Sequence, residues 1–132
     1  TPPIAAAIGL GAAIDYVNAV VLDRIAAHEH ALLEYATAAL SAIPGVRIIG
    51  TARDKTAVIS FYIDDVHPHD VGTILDHEGI AVRTGHHCAQ PILRRFGLET
   101  TVRPSLAMYN TLGDVDTLVT TLHRMRGGRN IF

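Results

Sequence analysis

The sequence predicts an α+β fold, a small and mostly antiparallel sheet with helices packed on one face. Three observations predict it. Apolar side chains recur at helical spacing through residues 4–42. Short apolar runs of strand length follow, separated by two further helical stretches and closed by a last one. Glycine and proline stand at the joints between these runs. A length of 132 residues suits one compact domain and leaves little room for two.

Taken in order, Ile4, Ile8, Leu10, Ile14, Val17, Val20 and Val21 predict a first helix, and a break over Asn18 to Asp23 separates it from a second. In the second, Ile25, Leu32, Leu33, Ala36 and Leu40 line one face, with Arg24, Glu29, His30 and Glu34 elsewhere. Ile43-Pro44-Gly45 ends it, since proline cannot continue a helix and glycine tolerates the turn. Val46 to Ile49 predicts a short strand, 50–55 a polar hairpin loop, and Thr56 to Ile63 a better strand. Pro68 suits the first turn of a helix that Gly79 stops after Glu78. Ile80 to Arg83 predicts a strand and Thr84 to Gln90 a polar loop. Pro91 opens a short helix, Ile92 to Phe96, closed by Gly97, and Val102 to Met108 predicts another strand. A turn at Asn110 to Asp114 leads to a final amphipathic helix from Val115 to about Arg126, and Gly127-Gly128 begins a loose tail. The N-terminal helices need a surface for their apolar sides, part of which is expected in portions of the protein other than these.

Hydrophobic residues at 48% suffice for a core, while charged residues at 18%, of both signs and with a net charge of -2, form no basic stripe for nucleic acid. Arg94-Arg95 and Arg124, Arg126, Arg129 read as a solvated helix face and a frayed end. One cysteine excludes an internal disulfide and fits a reducing, cytoplasmic setting. No apolar run reaches the ~18–20 residues of a membrane span. Thr1-Pro2-Pro3-Ile4 has no basic n-region and no initiating Met, which hints at a piece of a longer chain.

The chemically informative stretch is Arg83-Thr84-Gly85-His86-His87-Cys88-Ala89-Gln90-Pro91. Cys88 is expected just ahead of a helix start, beside two imidazoles and Arg83, features that lower a thiol pKa and favour the nucleophilic thiolate. Three readings stay open on the residues alone: a buried small hydrophobe, a nucleophile, and a metal ligand with His86 and His87. Adjacent residues rarely share one tetrahedral ion, which disfavours the last. Arg103, amid apolar strand neighbours, calls for a partner: a bound carboxylate, a structural acidic residue, or water at a strand edge beside Pro104. His67-Pro68-His69-Asp70 reads as a helix cap or as a contact to a metal or partner.

Together these segments resemble the SufS-type, group II cysteine desulfurases, also selenocysteine lyases, of the class V aminotransferases. The resemblance rests on the Cys88 loop, on Arg103-x-Ser105-Leu106-Ala107-Met108-Tyr109-Asn110-Thr111, on His67-Pro68-His69-Asp70-Val71-Gly72, and on Ile8-Gly9-Leu10-Gly11-Ala12-Ala13, in that family's order. It covers essentially the whole chain. It implies the C-terminal domain of a fold-type I, pyridoxal 5'-phosphate (PLP)-dependent homodimer over residues 1–132, with 1–42 a helical segment leading in. The implied reaction converts L-cysteine, or L-selenocysteine, to L-alanine, with the sulfur left as a persulfide for a SufE- or SufU-type acceptor and iron–sulfur cluster assembly. By resemblance Cys88 accepts the sulfur, Arg103 binds the substrate carboxylate, and Arg83 lies at the site entrance. Thr1 reaches the cofactor phosphate of a neighbouring subunit, and His69 contacts the zinc of a SufU-type partner.

The chain departs from that pattern in two places. The family's PLP-holding domain and its Schiff-base lysine are absent, since Lys55 is the sole lysine and sits in a polar loop. Pro104 replaces the small residue usual after the arginine, removing a backbone donor. The rival expectation is a stand-alone module that carries persulfide or docks a scaffold without PLP chemistry. A weaker one is a metal-binding domain built on the histidines.

Overall fold

The computed structural model describes residues 1–127. Along them run α1 (Ile4–Val20), α2 (Leu22–Ser41), β1 (Val46–Ile49), β2 (Ser60–Ile63), α3 (Pro68–His77), β3 (Arg83–Gly85), α4 (Gln90–Arg95), β4 (Thr101–Arg103) and α5 (Leu112–Arg126). The strands form one sheet in the order β1-β2-β4-β3, antiparallel at each neighbour. The fold is α+β, as expected. The expected tail beyond Gly127, with Arg129, lies outside the described residues.

Alternation along the strands sorts the sheet into two faces. Phe61, Ile63 and Val102 point into a single apolar cluster with Leu32, Leu33, Ala36 and Leu40 of α2, Val71 and Leu75 of α3, and Val115, Leu118 and Leu122 of α5. The α2 residues follow the predicted stripe, except that Ile25 is only partly buried. Ser60, Thr101 and Arg103 belong to the opposite face.

Helix ends follow local chemistry. His67 caps α3, its side chain accepting from the His69 N–H, with Pro68 in the first turn. α5 begins at Leu112, three residues before the predicted start, because Thr111 and Asp114 form a reciprocal capping box. The Asp114 N–H donates to Thr111 Oγ1 at 3.3 Å and the Thr111 N–H to Asp114 Oδ2 at 2.8 Å. The Tyr35 hydroxyl donates to Asp116, joining α2 to α5.

The strands deviate from the sequence expectation around Pro104. The ladder places Arg83 opposite Arg103, so Val82 falls opposite Pro104. At Pro104 the backbone carbonyl faces β2, and β3 covers Arg83–Gly85 rather than Ile80 to Arg83. The same residue splits the predicted strands 56–63 and 102–108. Phe61 pairs with Val102, and Val58 bridges Ser105 in the same register. Between them the Ile59 N–H donates to Pro104 O at 3.2 Å, with no return bond possible.

α1 stands apart. Its axis bends 76° from that of α2 at Val21, whose φ is 77°. None of its residues is buried, and Ile4, Ile8, Leu10, Ile14 and Tyr16 are all exposed. No single helix is long and apolar enough to cross a membrane.

Candidate active site

The site grows from the edge pair β3 and β4, on the face away from the helices. Arg83 and Arg103 are cross-strand partners, so two guanidinium groups leave the same face side by side. Among the described residues the ion pairs lie elsewhere, and neither arginine has a carboxylate partner. Arg83 is exposed, whereas Arg103 is half-buried and its Nε is sequestered without an acceptor. Like charges opposed in a sheet repel, and a buried guanidinium donor without an acceptor is costly. An anion entering between them relieves the repulsion, and a carboxylate matches the fork geometry.

Beyond β3 the chain turns sharply. Gly85 has φ 130°, and His87 and Cys88 follow at 53° and 56°, in the left-handed region. Glycine adopts such an angle freely, whereas His87 and Cys88 carry a Cβ there. Cys88 is exposed. Its N–H donates to His86 Nδ1 at 3.1 Å, and the Ala89 N–H donates to His86 O at 2.8 Å. Ala89 is the N-cap of the six-residue α4, with Pro91 in the first turn, so Cys88 sits one residue ahead of the cap.

The His87 ring lies back against β4. Its Nε2 is 3.2 Å from Thr101 O and 3.1 Å from Thr101 Oγ1. A carbonyl oxygen only accepts, so Nε2 carries the proton and donates. Nδ1 then holds the lone pair, and it is buried without a partner. Desolvation depresses the His87 pKa below the ordinary imidazole value, against the raising effect of the Thr101 backbone bond and helped by Arg103, Arg83 and His86. A neutral imidazole fits these surroundings. Thr101 is fully buried and its Oγ1 lies 2.7 Å from Ser60 Oγ.

His69 occupies the other side of the edge strand. Its Nδ1 is 3.0 Å from Thr84 Oγ1, and its ring stacks on His67. Thr84 pairs with Val102 and faces α3, where its methyl sits so near Gly72 that a Cβ there would lie 2.5 Å away. The structure thus brings Arg83, Arg103 and the Cys88 loop onto one face and places His69 across the edge from them. Thr1 is exposed ahead of α1, and among the described residues no hydrogen bond ties it to the loop. No cluster of three His, Cys, Asp or Glu with metal-holding geometry occurs among the described residues.

Two anchors escaped the sequence reading, Thr101 and Ser60. Both look like ordinary strand formers. The period of two does set Thr101 on the face of Arg103, which is the signal that would have found it.

The residues present do not make a seat for PLP. Lys55 lies in the β1–β2 connection, where its Nζ donates to Gly50 O at 3.4 Å. β1 is the sheet edge opposite β3, so this amine is remote from the arginine pair.

Comparison with known proteins agrees with this geometry. Residues 1–118 match the family described as Aminotransferase class-V. The chain is 59% identical over 128 residues to a cysteine desulfurase of Synechococcus elongatus, covering 97% of this chain and 20% of that protein. It is 54% identical over 128 residues to a probable cysteine desulfurase of Streptomyces coelicolor, covering 96% and 31%. The apo cysteine desulfurase of Thermococcus onnurineus NA1 superposes with a TM-score of 0.93 at 39% identity, covering 98% of this chain and 32% of that one. The chain therefore spans between a fifth and a third of the length of these relatives. On sequence and on fold alike, the chain belongs to the class-V aminotransferase family.

Proposed function

We propose that residues 1–132 are the C-terminal domain of a PLP-dependent cysteine desulfurase of the SufS type, supplying its substrate clamp and sulfur acceptor. One observation carries this reading: two guanidinium groups without carboxylate partners face the same way from strands that adjoin an exposed thiol loop.

Arg103, with Arg83 at the entrance, takes the carboxylate of L-cysteine or L-selenocysteine and turns its chalcogen toward the loop. The Cys88 thiolate attacks that sulfur. An S–S bond forms as the substrate's C–S bond breaks, the bonding pair stays with carbon, and protonation of that carbon gives L-alanine. PLP, when bound, withdraws electrons from the substrate's α-carbon, and its Schiff-base lysine is a residue other than Lys55. Thr1 would serve the cofactor phosphate of a second subunit, making the working enzyme a homodimer.

The persulfide on Cys88 passes to a SufU- or SufE-type acceptor for iron–sulfur cluster assembly, in a reducing, cytoplasmic setting. His69 favours SufU. Its Nδ1 is engaged by Thr84, which orients the ring and leaves Nε2 for an incoming zinc.

The test uses the full-length protein, PLP and L-cysteine. Wild type should release alanine and gain the mass of one sulfur atom on the Cys88 peptide. Cys88→Ser should do neither. Undiminished alanine release by Cys88→Ser would overturn the reading.

A further inference from the structure

The Cys88 loop holds two consecutive non-glycine residues in the left-handed region, His87 and Cys88. Such backbone persists only where its surroundings hold it. Two of the bonds around Cys88, from the Cys88 N–H to His86 Nδ1 and from the Ala89 N–H to His86 O, close within the loop and fix it to nothing else. The His87 ring reaches a separate element. Its Nε2–H meets both oxygens of Thr101, and Thr101 is fully buried and bonded in turn to Ser60 on β2. Thr101 and Arg103 are two residues apart on β4, on one face. A single strand therefore carries the carboxylate clamp and the anchor of the thiol loop.

We infer that the bond from His87 Nε2 to Thr101 is a positioning device for sulfur transfer, fixing the Cys88 thiol relative to the arginine that holds the substrate. The inference rests on the desulfurase reading above. His87 acts through Cys88 and touches no reacting atom. The rival role for the same ring is proton acceptance at the buried Nδ1, and experiment separates the two. A glutamine amide nitrogen stands where Nε2 stands and can donate to Thr101, whereas asparagine is too short to do so, and neither amide is a base.

The experiment compares His87→Gln with His87→Asn in the full-length, PLP-loaded protein, following cysteine turnover and amide hydrogen exchange at Cys88 and Ala89. Expected is a kcat within about twofold of wild type for His87→Gln, against a loss of roughly tenfold for His87→Asn with KM within about twofold. Exchange at the two amides should quicken in His87→Asn alone. Thr101→Ser, which keeps the hydroxyl, should behave as wild type, and Thr101→Val should fall between Thr101→Ser and His87→Asn. Loss of turnover in both variants, with exchange kept slow in His87→Gln, would overturn the inference in favour of proton acceptance at Nδ1, which neither amide can perform. Equal loss with exchange quickened in both variants, or wild-type turnover and exchange in both, would overturn it outright. Cys88→Ser in the same assay separates the two claims: retained alanine release there defeats the desulfurase reading, while the exchange comparison still reports on the clamp.

Discussion

Ser60 and Phe61 are neighbours in β2, yet they serve opposite ends. Phe61 is fully buried in an apolar cluster with side chains of α2, α3 and α5. Ser60 looks the other way, into a polar chain that runs through Thr101 to His87 beside two guanidinium groups lacking carboxylate partners. One face supplies stability and the other tolerates its absence. A sheet held firmly from one side can keep like charges opposed on the other, which is what an anion site needs before its ligand arrives.

The sharpest way to break that contrast is to empty the stable face. Phe61→Ala should destabilise the domain by about 3–5 kcal/mol, through lost burial and the cavity left behind. Chemical denaturation of the full-length protein checks this, and a loss below about 1 kcal/mol would mean that the core collapses around the gap.

On the polar face the signs should reverse. Arg103→Gln should cut kcat/KM for cysteine by about two orders of magnitude, the scale of charge-assisted bonds to a carboxylate. The unfolding midpoint should hold or rise slightly, since a like-charge pair worth a few tenths of a kcal/mol is relieved. Arg83→Gln should show the same pattern with a smaller kinetic loss, because its side chain is exposed. A fall in stability for either variant would make the arginines structural.

The smallest effect sharpens the comparison through pH. With its pKa depressed in the fold, His87 binds fewer protons there than in the unfolded chain. Loop stability should therefore be full above the ordinary imidazole value of about 6.5 and decline as pH falls below it. Corrected for intrinsic rates, hydrogen exchange at the Cys88 loop should quicken on acidification, and the core amides of β2 should not follow.

Much of the fold and part of the site could be read in the residues. The α2 stripe, the Pro68 start, the Gly79 stop and the Cys88 loop all depend on local spacing or local backbone chemistry. What escaped depends on pairing. Ile80 to Val82 looks more strand-like than Arg83 to Gly85, yet the latter is the segment that pairs with Thr101 to Arg103. The α5 start shifted because a threonine and an aspartate three residues apart satisfy one another. The His87–Thr101 anchor joins residues 14 apart in the chain, which no local pattern reports.

Val21 is a β-branched residue in the left-handed region, and the 76° bend there turns α1 away from the core that α2 packs on. A 17-residue helix with no fully buried residue has little beyond its own backbone bonds to keep it formed, and at that length these are barely enough. Its exposed isoleucines make a contiguous oily stripe, which invites copies of the molecule to cluster through it. Purified without whatever surface covers that stripe, this polypeptide should aggregate through its first 20 residues long before its sheet unfolds.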